Sequence, residues 1–200
     1  MLLRYTVSEA PWLQRMAVAN EWLFRPLRLC TLAENPATNA MIRTTIAPTM
    51  LRGSDKDNVL PIRAEGVINF RLLPGDTRED VIKHIREAID DPDVAIAELG
   101  SFGTDPSAVS PVDDPVFKTL AGTIRQIHTD TVVAPYLEVG ATDSRHFQAL
   151  TPRIYRFMPF VVAADDLSGI HGTNERIAID SYLDGILLYR QLLINMDEVL

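Results

Sequence analysis

The fold is decided by Val67–Ile89, VINFRLLPGDTREDVIKHIREAI, where a strand pattern passes through a turn into a helix pattern. The loose alternation of apolar and polar residues over Ala64–Arg71 predicts a strand that is covered on one face. A turn motif, Pro74-Gly75-Asp76, follows it. Thr77 with Asp80 resembles a capping box that uses aspartate, and the apolar residues after it recur at helical spacing. The stretch predicts a helix that covers an antiparallel sheet in an α+β layer.

The residues before this stretch predict helices and then strands. Apolar residues recur at helical spacing over Pro11–Leu32, so we expect one or two helices that are interrupted near Pro26. The helical region should end at Asn35-Pro36. Two strands, within Arg43–Leu51 and Val59–Leu73, should flank a polar turn. One more strand ahead of the first helix would complete a symmetric βαββαβ unit, so we expect the amino terminus to be trimmed.

The second half of the chain has a different pattern. Val94–Leu99 predicts one more strand, and the Gly-, Ser- and Pro-rich segment Gly100–Pro111 is a candidate domain boundary. Strands alternate with helices beyond it, which predicts part of an α/β sandwich. The expected strands are Val132–Val139 and Ile154–Val162, and the expected helices lie near residues 115–128, 142–150 and 180–195.

The composition limits which classes of protein and which partners are plausible. A chain of 200 residues that is 46% hydrophobic can form one or two globular domains. Its formal net charge of −8 argues against nucleic acid and an anionic membrane as partners. The lone Cys30 is expected to be a buried, inert thiol. No transmembrane stretch or targeting segment is visible, so the location is unknown and the cytoplasm is the default expectation.

The segment Gly169–Ile177 contains the first candidate site residue. His171 lies between small or polar neighbours in a loop ahead of the last helix, a setting that is typical of a metal ligand. A satisfied structural histidine is the alternative. Since a catalytic zinc ion needs about three protein ligands, His171 cannot form such a site alone.

Three further polar residues are candidates for substrate binding. Asn58 and Arg71 could present an amide and a guanidinium to a carboxylate or carbonyl oxygen, although a turn asparagine and an exposed strand arginine are the ordinary interpretation of the pair alone. Arg145 lies in Gly140–His146, where polar side chains crowd a helix start, and it could hold a free carboxylate. A capped helix with a solvated arginine is the alternative there.

Several longer motifs together resemble one known family. They occur in the order Asn58-Val-Leu-Pro, Val67-Ile-Asn-Phe-Arg71 with Leu73-Pro-Gly-Asp76, Ser110-Pro-Val-Asp-Asp114, Gly140-Ala-Thr-Asp-Ser-Arg-His-Phe147, Ile154-Tyr-Arg-Phe157 and Gly169-Ile-His-Gly-Thr-Asn-Glu175. The chain resembles the carboxy-terminal half of the zinc-dependent aminoacylase/carboxypeptidase metallopeptidase family. It is most similar to the branch of Gly-X carboxypeptidase-like enzymes and N-fatty-acyl-amino-acid hydrolases. The resemblance covers nearly the whole chain from about Pro11.

The resemblance implies a domain plan. Residues 1–108 would form most of a ferredoxin-like α+β lid, which has an antiparallel sheet with two helices and forms homodimers. Residues 109–200 would close a catalytic domain as a partial α/β sandwich. The complete enzyme would hold two zinc ions per subunit and hydrolyse peptides or N-acyl amino acids. His171 would be a zinc ligand, while Arg145, Asn58 and Arg71 would bind substrate.

The departures from the family pattern shape the expected activity. The early His-x-Asp motif, the bridging aspartate and the paired glutamates that lie upstream of the lid have no counterpart here, and the lid histidine is missing. We therefore expect an inactive chain that binds zinc weakly. Two alternatives stay open, a non-catalytic dimerisation or regulatory module built on the lid sheet, and an independent protein that binds a carboxylate through Arg145.

Overall fold

A computed structural model describes residues 2–100, 103–167 and 169–199. Helices dominate these residues, and one sheet is present among them. The elements in chain order are α1 (Leu2–Thr6), a 3-10 turn (Val7–Glu9), α2 (Trp12–Ala19), α3 (Glu21–Glu34), α4 (Pro36–Asn39), β1 (Thr45–Arg52), β2 (Glu65–Arg71), α5 (Arg78–Ile89), α6 (Pro115–Ile127), a 3-10 helix (Asp143–Phe147), α7 (Ala164–Leu167) and α8 (Ile179–Asp197).

The amino-terminal helices break at a different residue from the one predicted. Pro26 lies inside α3, and the interruption falls at Asn20, whose φ of −108° and ψ of 55° are not helical. The Asn20 side chain donates a hydrogen bond of 2.9 Å to the Met16 carbonyl and so satisfies one group at the end of α2. The expected break at Pro26 was therefore wrong. Helix α3 does end at Glu34, before Asn35-Pro36, as predicted, but Asn35 caps a further short helix, α4, which was not predicted.

Strands β1 and β2 form an antiparallel pair, as predicted. Their register runs from Thr45 opposite Arg71 to Arg52 opposite Glu65. The register shifts between Pro48 and Met50, where proline has no N–H to give to a ladder. The pair confirms the predicted antiparallel sheet with helices. The ferredoxin-like lid stays a prediction.

Helix α5 begins as the sequence predicts. The Thr77 hydroxyl accepts a hydrogen bond of 3.2 Å from the Asp80 N–H, and the Asp80 carboxylate accepts one of 2.9 Å from the Thr77 N–H. These two bonds form a capping box. The Thr77 hydroxyl, and then its backbone N–H, lower the pKa of the Asp80 carboxyl. Asp90 ends the helix in the left-handed region with a φ of 48°.

Three apolar runs that were predicted as strands are irregular. Val94–Leu99, Val132–Val139 and Ile154–Val162 contain no assigned strand within the described residues. The expectation of strands there was wrong for this structure. A strand exists through hydrogen bonds to a neighbouring strand, and an apolar composition alone cannot supply that neighbour.

Serine side chains take the place of strand partners at two points of the last run. The Ser110 hydroxyl accepts from the Ile154 N–H at 3.0 Å and donates to the Ile154 carbonyl at 2.7 Å. The Ser181 hydroxyl contacts Val161 in the same way, at 2.7 and 2.9 Å. These bonds satisfy backbone groups that a sheet would otherwise satisfy.

The core that is most deeply buried lies between α6 and α8. Leu120 and Ile124 of α6 are 7% exposed, and Leu188 of α8 is 0% exposed. Beside them the buried Thr123 hydroxyl accepts a 2.8 Å hydrogen bond from the Asn195 side-chain amide. The helices predicted near residues 115–128 and 180–195 are confirmed as α6 and α8. Among the described residues, no helix combines the length and the apolar character that a membrane span needs. Cys30, expected to be buried, is exposed on α3.

The structure groups the residues into two compact units. One unit comprises Met1–Asn20, Ser110–Tyr136 and Asp143–Leu200, and the other comprises Glu21–Val109 and Leu137–Thr142. The predicted domain division between residues 108 and 109 stays a prediction.

Candidate functional site

His171 lies in a tight, exposed loop that is organised by its own residues. Its backbone has a φ of 60°, and Asn174 has a φ of 62°. The His171 N–H donates a 3.1 Å hydrogen bond to a Glu175 carboxylate oxygen, and the Gly172 N–H donates one of 2.8 Å to the Gly169 carbonyl. A positive φ is uncommon outside glycine, although histidine and asparagine adopt it more readily than most residues. The loop therefore presents the imidazole from a constrained backbone.

The described residues do not place further metal ligands around His171. No group of three or more His, Cys, Asp or Glu side chains within that part of the chain could hold a metal ion. Glu175 lies close, but its carboxylate accepts from the His171 backbone. Since catalytic zinc sites use about three protein ligands, these residues do not fit a zinc site by themselves.

Arg71 makes a long-range contact from the end of β2. Its Nη1 donates a 3.0 Å hydrogen bond to the carbonyl of Val139, which lies one residue before the motif that begins at Gly140. The structure therefore brings one predicted substrate residue to the start of the motif that contains another, Arg145. That contact is to the backbone and leaves the Arg71 side chain exposed.

Arg71 contacts the segment of residues 137–142, which we call the strap. Glu138 accepts a 2.7 Å hydrogen bond from the Gly140 N–H, which closes a turn within the strap. A Cβ on Gly140 would lie 2.8 Å from the same carboxylate oxygen, so only glycine fits without a shift of Glu138. Arg145 follows in the 3-10 helix Asp143–Phe147, where a short helix had been predicted, and its Nε lies 3.4 Å from His146 Nε2.

Asn58 lies in the turn between β1 and β2. The side chain is exposed, and the same turn is closed by Ser54, whose hydroxyl donates a 2.9 Å hydrogen bond to the Lys56 carbonyl. Asn58 belongs to the compact unit that contains Arg71, whereas Arg145 and His171 belong to the other. The substrate-binding roles of Asn58, Arg71 and Arg145 stay predictions, as does metal binding by His171.

Two of the predicted motifs meet in an electrostatic cluster at the start of α6. Asp114 caps the helix by accepting a 2.9 Å hydrogen bond from the Val116 N–H, and it pairs with Arg153 Nε at 2.8 Å. The Val116 bond, and then Arg153, lower the pKa of the Asp114 carboxyl. Burial, and then the charge of Asp114, raise the pKa of the Tyr155 hydroxyl, which donates to the Pro111 carbonyl at 2.6 Å. These bonds connect the residues just before α6 to residues 153–155.

Comparison with known proteins identifies the family of residues 12–96. Residues 12–96 match the family model described as the peptidase dimerisation domain. The whole chain aligns with the probable carboxypeptidase S-like 2 of Dictyostelium discoideum, with 36% identity over 200 residues. Residues 12–96 thus belong to the peptidase dimerisation domain family, and the chain as a whole is similar to one part of a carboxypeptidase-like relative. These matches confirm the resemblance that the sequence motifs predicted.

Further relatives match as well. The human N-fatty-acyl-amino acid synthase/hydrolase is 36% identical over 98% of the chain, and carboxypeptidase S of Saccharomyces cerevisiae is 28% identical over 80% of it. The alignments span 38% of the Dictyostelium relative, 39% of the human one and 33% of the yeast one. No solved structure matches the chain significantly.

Sequence reasoning missed the residues that shape these loops. Glu138 falls within a predicted buried strand, yet its carboxylate accepts a hydrogen bond from the Gly140 N–H. The motif around His171 does not indicate that Glu175 accepts a hydrogen bond from the His171 N–H. A polar residue within four positions of a tight glycine turn is the local signal that could have indicated both contacts.

Proposed function

We propose that this chain forms part of a zinc-dependent peptidase or amidohydrolase, which hydrolyses the amide bond of peptides or N-acyl amino acids. The chain alone is inactive in this proposal. The proposal depends mainly on the loop of His171, which is constrained and exposed. Within the described residues, no group of three or more His, Cys, Asp or Glu side chains could hold a metal ion there. The names of the relatives, carboxypeptidase S-like and N-fatty-acyl-amino acid synthase/hydrolase, support the substrate class.

The apolar surface of α8 supports the view that this chain packs against more polypeptide. Tyr182, Ile186 and Leu193 lie at helical spacing, and Leu193 is 74% exposed. A helix that is apolar on several faces is typical of the interior of a larger domain. We propose that residues 109–200 close a catalytic domain, and that this apolar surface of α8 packs inside it.

The roles of the polar residues follow from this proposal. His171 supplies one zinc ligand from its loop, and Arg145 binds the free carboxylate of the substrate through its planar guanidinium. Asn58 offers an amide to a substrate oxygen. The general base and the remaining ligands come from polypeptide that corresponds to the rest of the relatives.

Two measurements on the full chain test this proposal. We expect titration with zinc to show no tight stoichiometric binding, and an N-acyl amino acid to show no hydrolysis that a chelator abolishes. His171→Ala should leave both results unchanged. Tight binding that His171→Ala removes, or chelator-sensitive turnover, would overturn the inactivity of the isolated chain.

A second candidate is a non-catalytic dimerisation or regulatory module built on residues 1–108 as a ferredoxin-like lid. The match of residues 12–96 to the peptidase dimerisation domain favours it. In the described residues the sheet has two strands, whose outer edges can pair with another copy, and Leu51 on β1 is 86% exposed. Sedimentation in the presence of a chelator tests this second candidate. A folded homodimer without metal supports the module, whereas a monomer at all concentrations contradicts it.

A further inference from the structure

Helix α3 turns its apolar side outward. Trp22 is 81% exposed and Leu27 is 64% exposed. Successive residues of a helix are about 100° apart, which places six exposed side chains on one arc of about 160°. We call this surface the apolar arc, and its residues are Trp22, Leu23, Pro26, Leu27, Leu29 and Cys30. Glu34, the last residue of the helix, is the one charged residue that falls on the same arc.

The other side of α3 is less exposed and includes a charged side chain. Arg28 lies there, its side chain is 23% exposed, and its Nη1 is 3.9 Å from a Glu21 carboxylate oxygen. Helix α5 of the same compact unit has the opposite arrangement, because its apolar Val81 and Ile82 are half-buried while its charged residues are exposed. A surface helix normally faces its apolar stripe inward. The reversed orientation of α3 therefore marks the apolar arc as a binding surface.

The length and the charges of α3 indicate which partner fits the apolar arc. A helix with tryptophan and leucine on one face and arginine beside it is typical of helices that lie in the plane of a membrane interface. Arg25 is exposed and lies about 40° from Leu29, at the margin of the arc. With 14 residues α3 is too short to cross a hydrocarbon core of about 30 Å, so a helix parallel to the surface is the orientation that fits.

The charge balance favours a zwitterionic lipid over an anionic one. Helix α3 contains two arginines and two glutamates, so its formal charge is zero. The whole chain has a formal net charge of −8, which repels an anionic surface. Insertion of apolar side chains, and not attraction between net charges, would therefore drive binding.

We propose that the apolar arc of α3 binds the surface of a zwitterionic lipid bilayer. Trp22 and Leu27 insert at the boundary between headgroups and acyl chains, and Arg25 lies beside the lipid phosphates. This surface is independent of the proposed hydrolase function, because it lies within the unit Glu21–Val109 and uses none of the candidate site residues. A second copy of the chain, or other polypeptide, on the same arc would leave no surface for lipid, and the tests below detect that outcome.

Flotation of the full chain with phosphatidylcholine vesicles tests the surface. We expect wild type to bind, and Leu27→Glu to lower the partition coefficient by about tenfold or more, because a carboxylate is costly to bury. Ile62→Glu is the matched control, since Ile62 is a fully exposed apolar residue of the same unit that lies outside any helix or strand. The control should bind as wild type does.

Two results of the flotation experiment would contradict the proposal. Absence of binding by wild type, or equal losses in Leu27→Glu and Ile62→Glu, overturns it. Stronger binding to phosphatidylglycerol vesicles that falls as salt is added also overturns it, because that behaviour indicates electrostatic adsorption.

Tryptophan fluorescence locates the contact on the helix. The chain has two tryptophans, so Trp12→Phe leaves Trp22 as the reporter. We expect its emission to shift to shorter wavelength on addition of phosphatidylcholine vesicles and to be quenched by brominated phosphatidylcholine. Emission that is already shifted without lipid, and that depends on protein concentration, places a second copy on the arc and overturns the proposal. If Leu27→Glu fails to fold, quenching by the brominated lipid decides, and its absence is the contrary result.

Discussion

Gly185 of α8 lies against the ring of Phe160. A Cβ on residue 185 would come within 2.5 Å of Phe160 Cε1 and 2.7 Å of Cδ1. The Phe160 ring is itself stacked on Tyr182, with 5.8 Å between the ring centroids. A glycine inside a helix normally lowers helix stability, so this glycine is explained by the close approach of the aromatic ring.

We predict that Gly185→Ala destabilises the chain by about 1–3 kcal/mol, because the cost of overpacking exceeds the gain in helix propensity. The matched control is Gly122→Ala in α6, where an added Cβ meets nothing within 4 Å. That substitution should stabilise the chain by about 0.5–1 kcal/mol. Denaturant unfolding of both variants measures the two effects, and stabilisation by Gly185→Ala would contradict the packing seen at Phe160.

The buried hydroxyl of Ser181 should contribute more to stability than an ordinary surface serine. Ser181→Ala leaves the N–H and the carbonyl of Val161 without their hydroxyl partner, which we expect to cost about 1–3 kcal/mol. Ser54→Ala, in an exposed turn, should change stability by less than about 0.5 kcal/mol. Equal effects of the two substitutions on the free energy of unfolding would show that the Ser181 bonds are dispensable.

The capping box of α5 gives a local prediction. Thr77→Ala removes the hydroxyl that accepts from the Asp80 N–H, and we expect a loss of about 1 kcal/mol in the stability of the unit that contains α5. Thr77→Ser retains the hydroxyl and serves as the control. The difference between the two variants is measured by thermal unfolding, and identical midpoints would contradict the cap.

Asp114 should make stability depend on pH in the acidic range. Its pKa is lowered in the folded state by the Val116 N–H and then by Arg153, so its contribution is present above the ordinary pKa of about 3.9. The contribution is lost as the pH falls through the lowered value of the folded state. Asp114→Asn keeps a capping side chain but cannot titrate, so its stability should fall less than that of wild type on acidification.

Denaturation midpoints between about pH 2 and pH 6 test this pH dependence. Asp113→Asn, which changes a neighbouring exposed aspartate, is the control and should follow wild type. Parallel curves of midpoint against pH for wild type and Asp114→Asn would contradict the prediction. They would show that the Asp114 carboxyl does not cause the pH dependence of stability.

Local patterns in the sequence determined the longer helices and the strand pair of the described residues, whereas the short helices α1, α4 and α7 were not predicted. The Thr77 and Asp80 capping box, the antiparallel pair of β1 and β2, and the long helix α8 all depend on spacing within a few turns or on a short connection. The resemblance to peptidases was also determined at this level, because its motifs are short and ordered. The candidate site residues were named in the same way, without their contacts.

Tertiary structure alone decided what those residues touch. Arg71 reaches Val139 across 68 positions of sequence, and the run Ile154–Val162 is held by Ser110 and Ser181 instead of by strand neighbours. A local pattern in the sequence cannot predict such partners. A hydrogen bond between residues that are distant in the sequence depends on how the tertiary fold brings them together. The sequence by itself determined the longer helices, the sheet pair and the resemblance to peptidases, whereas the tertiary structure decided which apolar runs stay irregular and which polar groups bond to them.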